Sequence, residues 1–375
     1  MFEGLEIRLP AMRGKMGART YYSVLMPMSG VSQFFKFTNW AGISPEDREQ
    51  RVLNEKRVPD LAGYITENEE DYIFSSITAS YKGEPKFEPF AEGSNIGALI
   101  LQLGDEFIIN DGQHRCAGVV QALRDGAPIG KDSISVLLFP WETTGRVQQM
   151  FSDLNKNVVK TSKSLDILYD KRDDLAAATL GMIDKLPVFK ELTDKENISL
   201  GVKSTKLFTL AALYDANAEL LKGRGEESNE ANTALLVDYW STLADHMPDW
   251  AKVLKGQKLA LELRQEKISS HSTVLRALGG MGFELMSNSD WKSELAALEE
   301  IDWRKKNPEW EGVCMSSNSV MSNRQARAAT KAFIKAKLGL ALTDGERKSL
   351  PATAVPTDAT RAAAAASLTT RLKTS

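Results

Sequence analysis

The spacing of apolar positions changes part-way along the chain. Up to about residue 170, short runs of β-favouring side chains alternate with helical patches; after Asp170, apolar residues recur almost only at intervals of three and four. In the first part, Leu5–Leu9, Arg19–Met26, Tyr72–Ser80, Ala98–Leu103, Glu106–Ile109 and Ser133–Pro140 predict strands. Arg13-Gly-Lys-Met-Gly17 predicts a turn between the first two, where Arg13 and Lys15 can touch an anion, and Gly104-Asp105 predicts a β-hairpin between the fourth and fifth. Ser29–Phe37 predicts a short capped helix. Pro45–Glu67, with its stripe of Val52, Leu53, Val58, Leu61 and Ile65, predicts two helices, the second beginning at Pro59. Gly145–Leu154 predicts another. In the second part, Asp173–Leu186, Thr205–Lys222, Asn232–His246, Ser272–Met286, Ser293–Ile301 and Arg324–Leu338 all carry the helical period. The expected organisation is an α+β domain over residues 1–170, an all-helical domain over 171–342 and a C-terminal segment over 343–375. That segment is expected to be mobile from about 350, where alanine-rich, low-complexity sequence lacks large apolar anchors.

Composition narrows the function classes. The chain has 375 residues and a net charge of −3, so its overall field does not draw it onto nucleic acid; any such binding must come from a local basic patch and be salt-dependent. No apolar run reaches the roughly 18 to 20 residues a membrane helix needs. The start of the chain shows no basic segment followed by an apolar one, as a secretory signal would. Cys116 and Cys314 are too few for a disulfide framework, which points to a reduced, cytoplasmic protein. Cys116 shares an apolar helical face with Val119, Val120 and Leu123 and reads as core. His246 and His271 lack partners at zinc-ligand spacing, and neither a Walker loop nor a Gly-x-Gly-x-x-Gly fingerprint is present.

The densest chemistry is Asn110-Asp-Gly-Gln-His-Arg115, between the strand ending at Ile109 and a helix. A helix start offers unpaired N–H groups and the positive end of the dipole, which suits a phosphate. Gly112 permits close approach or a positive φ, and Asn110 or Asp111 can cap the helix. Gly112, Gln113, His114 and Arg115 are the candidate phosphate ligands. Asp111 is a candidate base or Mg²⁺ ligand, and His114 a candidate proton carrier. Downstream, Asn155 sits in a helix-ending turn beside Lys156, Lys160 and Lys163, a cluster suited to phosphate; a new helix cap falls at Thr161 or Ser162. Ser204 or Thr205 caps the helix after Lys203. Arg324, Arg327, Lys331 and Lys335 recur at spacings of three and four, forming one positive helical face suited to a nucleic-acid backbone.

Asp111-Gly-Gln-His-Arg115 resembles the signature of the DGQHR-domain family. The Arg51–Ile65 region, Tyr72–Ser80 and Phe151–Leu165 are also similar to it. Overall length, the helical second half and Lys206-Leu-Phe-Thr resemble the DndB branch, found in bacterial DNA phosphorothioation (DNA sulfur modification) systems. That resemblance implies an N-terminal fold related to the ParB and sulfiredoxin group, with a turn that meets a nucleotide phosphate. It also implies a DNA-binding repressor of the modification genes, whose partners are promoter DNA and other modification proteins. Two further readings stay open: a Mg²⁺-dependent nucleotide hydrolase (ATP or CTP) or DNA-nicking enzyme using Asp111 and His114, and an assembly factor for the modification proteins. A homo-oligomer is compatible with all three.

Overall fold

The structure, a computed structural model, describes residues 6–35, 44, 53–102, 105–156, 161–224 and 227–351. Pro45 to Val52 of the first predicted helix, Leu103 and Gly104, Lys160 and the tail from Ala352 lie outside the described residues. The chain divides into two compact units, residues 1–159 and 160–375.

The first unit runs β1 (Glu6–Met16), β2 (Arg19–Pro27), α1 (Met28–Phe34), α2 (Val58–Glu67), β3 (Ile77–Lys82), β4 (Lys86–Pro89), β5 (Ile96–Gln102), β6 (Glu106–Asp111), α3 (Gln113–Arg124), β7 (Ser133–Pro140) and α4 (Thr144–Lys156). Its seven strands form one mixed sheet, ordered β4-β5-β1-β2-β7-β3-β6, in which only the β3–β7 pair is parallel. Alternation explains the burial: Tyr22, Val24 and Met26 of β2 and Ile77, Ala79 and Tyr81 of β3 face a core shared with Val31 and Phe35, Ile65 of α2, and Cys116 and Val119 of α3. Pro59 stands in the first turn of α2, as its missing N–H predicts.

Several local expectations change. The strand β1 continues through Arg13 and Lys15 to Met16, so the turn to β2 is only Gly17-Ala18, with Gly17 at φ 63°. Helix α1 begins at Met28 after Pro27, and no side chain caps it, so Ser29 is not a cap. The predicted hairpin between β5 and β6 does not form: β5 pairs with β1 and β4, and β6 pairs with β3. In a flat sheet the two strands would be five spacings apart, about 24 Å. The chain from Gln102 to Glu106 can reach only about 14 Å. The sheet therefore curls strongly, bringing its β6 edge back towards β5.

The second unit is mostly helical: α5 (Lys163–Tyr169), α6 (Asp174–Lys185), α7 (Pro187–Leu192), α8 (Leu210–Leu220), α9 (Asn229–Asp245), α10 (Pro248–Leu254), α11 (Ala260–Glu266), α12 (Ser272–Leu285), α13 (Trp291–Glu294), α14 (Arg324–Lys337) and α15 (Asp344–Ser349). It is not all-helical. Strands β8 (Thr193–Asp194) and β9 (Phe208–Thr209) form a parallel pair, and β10 (Met315–Ser316) and β11 (Ser319–Val320) an antiparallel one. The β8–β9 pair explains why α8 starts at Leu210 with Thr209 as its cap, five residues later than the sequence predicts. Within the core, Trp240 Nε1 donates to Asn217 Oδ1 at 2.7 Å and Asn217 Nδ2 to Thr179 Oγ1 at 3.0 Å, so these buried polar groups satisfy one another.

Candidate functional site

The turn between β6 and α3 is built by a register change. Ala79 pairs with Ile109 and Thr78 with Asp111, leaving Asn110 as the extra residue of a bulge on the edge strand. Asn110 is buried; its Oδ1 accepts from Ser80 Oγ at 2.9 Å, and its Nδ2 has no partner among the described residues. Gly112 follows as the N-cap of α3 at φ 101°, a region that disfavours any side chain. A Cβ there would lie 3.1 Å from Ile77 Cγ1. Neither Asn110 nor Asp111 caps the helix: among the described residues no side-chain cap hydrogen bond forms at its start, and its first turn contains no acid.

Asp111 instead meets Arg115. Arg115 Nη2 donates to Asp111 Oδ2 at 2.5 Å, while Nη1 donates to the carbonyls of Ser75 at 2.6 Å and Ser76 at 2.8 Å and also to Ser75 Oγ. These bonds explain why β3 starts at Ile77 rather than Tyr72. The carbonyls just before it are turned to the guanidinium, not to a strand partner. Nε2 of His114 accepts the backbone N–H of Asn54 at 3.1 Å, tying the start of α3 to the turn that leads into α2. On an accepting Nε2 the neutral ring carries its proton at Nδ1. Gln113 is half-buried on the first turn. The turn thus presents main-chain N–H groups and one amide side chain, with Arg115 as the brace that shapes it.

Such an arrangement suits an anion at the helix start. It suits a resident Mg²⁺ less well. The Asp111 carboxylate is engaged by Arg115, and among the described residues no three His, Cys, Asp or Glu gather as ligands. A metal there would need phosphate oxygens and water to complete its shell, and would have to draw Asp111 away from Arg115.

One family profile, described as DNA-sulfur modification-associated, matches residues 9–341. The chain belongs to the DndB family. The match runs through both units and includes the Gly112 turn, so this DndB-family chain acts in a DNA sulfur modification system. No curated protein and no solved structure matches it. Among its described residues no helix is long and apolar enough to cross a membrane.

The basic candidates of this DndB-family chain fall into separate groups. Asn155 lies inside the last turn of α4, its Nδ2 bonded to the Phe151 carbonyl at 2.8 Å, and Lys156 is exposed beside it. Lys163 belongs to the second unit, where it pairs with Asp215 at 2.5 Å; Ser162 caps its helix. On α14, Lys331 bonds Glu284 at 2.6 Å and Glu346 at 3.0 Å. Lys335 is buried and bonds the same two acids. Both lysines therefore hold α12, α14 and α15 together, leaving exposed Arg324 and half-buried Arg327 as the outward part of the stripe. Cys116 is core as expected, its thiol pushed by burial up to about 12. The sequence reading missed the Asn110 bulge and the roles of Ser75 and Ser76. The adjacent polar pairs Asn110-Asp111 and Ser75-Ser76 were the available signals, but a bulge depends on a partner strand far away in sequence.

Proposed function

We propose that this DndB-family protein is a DNA-binding regulator of a sulfur modification system, repressing the modification genes at their promoter. A phosphate sits at the Gly112 turn, held by the N–H groups that open α3 and by Gln113. The observation that carries the reading is the uncapped start of α3: a twelve-residue helix with Gly112 at positive φ, no side-chain cap and no acid in its first turn. A helix start left open in this way favours an anion. On α14, exposed Arg324 and half-buried Arg327 supply positive charge for the DNA backbone, and in the first unit exposed Lys156 does so separately.

Titration of promoter DNA and a scrambled duplex of equal length tests the reading. Promoter DNA is expected to bind at least about 10³-fold tighter at physiological salt. Equal, salt-sensitive affinity for both would remove sequence-specific repression. ATP or CTP turnover that disappears in Asp111→Asn while promoter binding persists would instead make the turn a catalytic one. Retention of other modification proteins without any DNA binding would favour the assembly role.

A further inference from the structure

The helical unit contains a cavity of about 300 Å³ walled by Arg264, Lys267, Lys305 and His271, with no carboxylate among its lining residues. Lys267 is paired with Asp249. The other two cations lack a counter-charge among the described residues. Arg264 donates to the carbonyls of Ala260 at 3.4 Å, Leu200 at 3.1 Å, Gly201 at 3.1 Å and Ser204 at 2.9 Å, which position it without neutralising its charge and leave one Nη1 hydrogen without a partner among the described residues. Lys305 is half-buried, and its side chain forms no hydrogen bond or ion pair among the described residues. Burial pushes the pKa values of both below their ordinary range. It does the same to His271, with the Lys305 charge adding to the effect. Partly desolvated cations without a counter-ion are stabilised when an anion enters.

The wall also carries the start of a long helix. His271 is the N-cap of the fourteen-residue α12, its Nδ1 accepting the Thr273 N–H at 3.2 Å, so the neutral ring keeps a donor proton on Nε2. Ser270 and Ser272 add hydroxyls beside it. Ile198, Leu200 and Leu207 add apolar side chains to the lining. A concave site of this size, lined by both cationic and apolar side chains, fits a small molecule better than a duplex backbone.

We propose that this cavity binds a phosphorylated small molecule of nucleotide size, its phosphate between Lys305, Arg264 and the start of α12. This does not depend on the role of the Gly112 turn. Calorimetric titration of the full chain with inorganic phosphate, AMP and ATP tests it, alongside Lys305→Ala, Ser272→Asp and, as a control, removal of an exposed cation outside the cavity, Lys131→Ala. AMP or ATP is expected to bind the wild type more tightly than phosphate alone. Lys305→Ala should weaken binding at least about tenfold, Ser272→Asp should abolish it, and Lys131→Ala should leave it unchanged. The Lys305 side chain holds nothing in place, so the thermal midpoint of Lys305→Ala should stay at the wild-type value and report that it is folded. The proposal is overturned if no probe binds the wild type, if Lys305→Ala binds as the wild type does, or if Lys305→Ala loses duplex DNA binding while retaining the nucleotides.

Discussion

At the residue scale, Arg115 changes meaning most between sequence and structure. In the sequence it is an arginine at a helix start, the residue expected to reach a phosphate. In the fold its donors are taken by Asp111 and by the Ser75 and Ser76 carbonyls, so it shapes the turn from within. Arg115→Ala should therefore cost about 2 to 4 kcal/mol, read as a shift of the urea midpoint, because it leaves an acid and two carbonyls without their partner. Arg115→Lys should recover only part of this, since an ammonium cannot span the same fork. A phosphate-only role would instead leave stability unchanged. Cys116 offers a second check. Burial raises its thiol to about 12, so the native protein should not react with iodoacetamide at pH 8 at this position, whereas the urea-unfolded chain should. The motif was legible as a cluster of chemistry-bearing residues. Which of them faces inward was not, because that depends on a bulge and on a strand entrance some forty residues earlier.

At the element scale, close helix approaches fix the packing. A Cβ on Gly118 of α3 would lie 2.7 Å from Leu61 Cβ on α2, and one on Gly279 of α12 would lie 2.1 Å from the Ala216 carbonyl of α8. Gly279→Ala should destabilise by about 1 to 3 kcal/mol or more, since its obstacle is a backbone carbonyl at 2.1 Å, and Gly118→Ala by less, since its obstacle, Leu61 Cβ, stands farther off at 2.7 Å. Thermal midpoints of the two variants check the order. Glu346 joins α15 to α14. Burial works against its ionisation, but hydrogen bonds from Lys335, the Thr343 N–H and Lys331 outweigh that and hold its carboxyl at about 2, below the ordinary 4.5. A carboxyl depressed in the folded state contributes stability above its unfolded pKa and loses it as pH falls through the folded value. Urea midpoints of the wild type should therefore drop between about pH 4.5 and 2, and Glu346→Gln should be less stable at pH 7 with a flatter profile over that range. The long helices α12 and α14 were readable because their period and caps are local. The β5–β6 pairing was misread because two neighbouring strands and a glycine look like a hairpin whatever their distant partners are. Only the sheet order, set by contacts far apart in sequence, decides that they separate.

At the scale of the whole molecule, the net charge of −3 means that DNA affinity must rest on a few local cations. With Lys331 and Lys335 held by acids, Arg324 and Arg327 remain of the α14 stripe, and they should contribute about −2 to the slope of log K against log salt. Replacing Arg324 and Arg327 by Gln should reduce that slope by about 2. A slope unchanged by that double substitution would place the contact elsewhere. Division into two compact units, each with its own apolar core, lets the curled sheet carry the Gly112 turn and the helical unit carry the cationic cavity. The most direct measurement is an amide NMR titration of the labelled full chain with promoter duplex. Shifts of the Gln113, His114 and Arg115 amides are expected as the duplex binds; saturable DNA binding that leaves all three amides unmoved would contradict the phosphate role of the Gly112 turn.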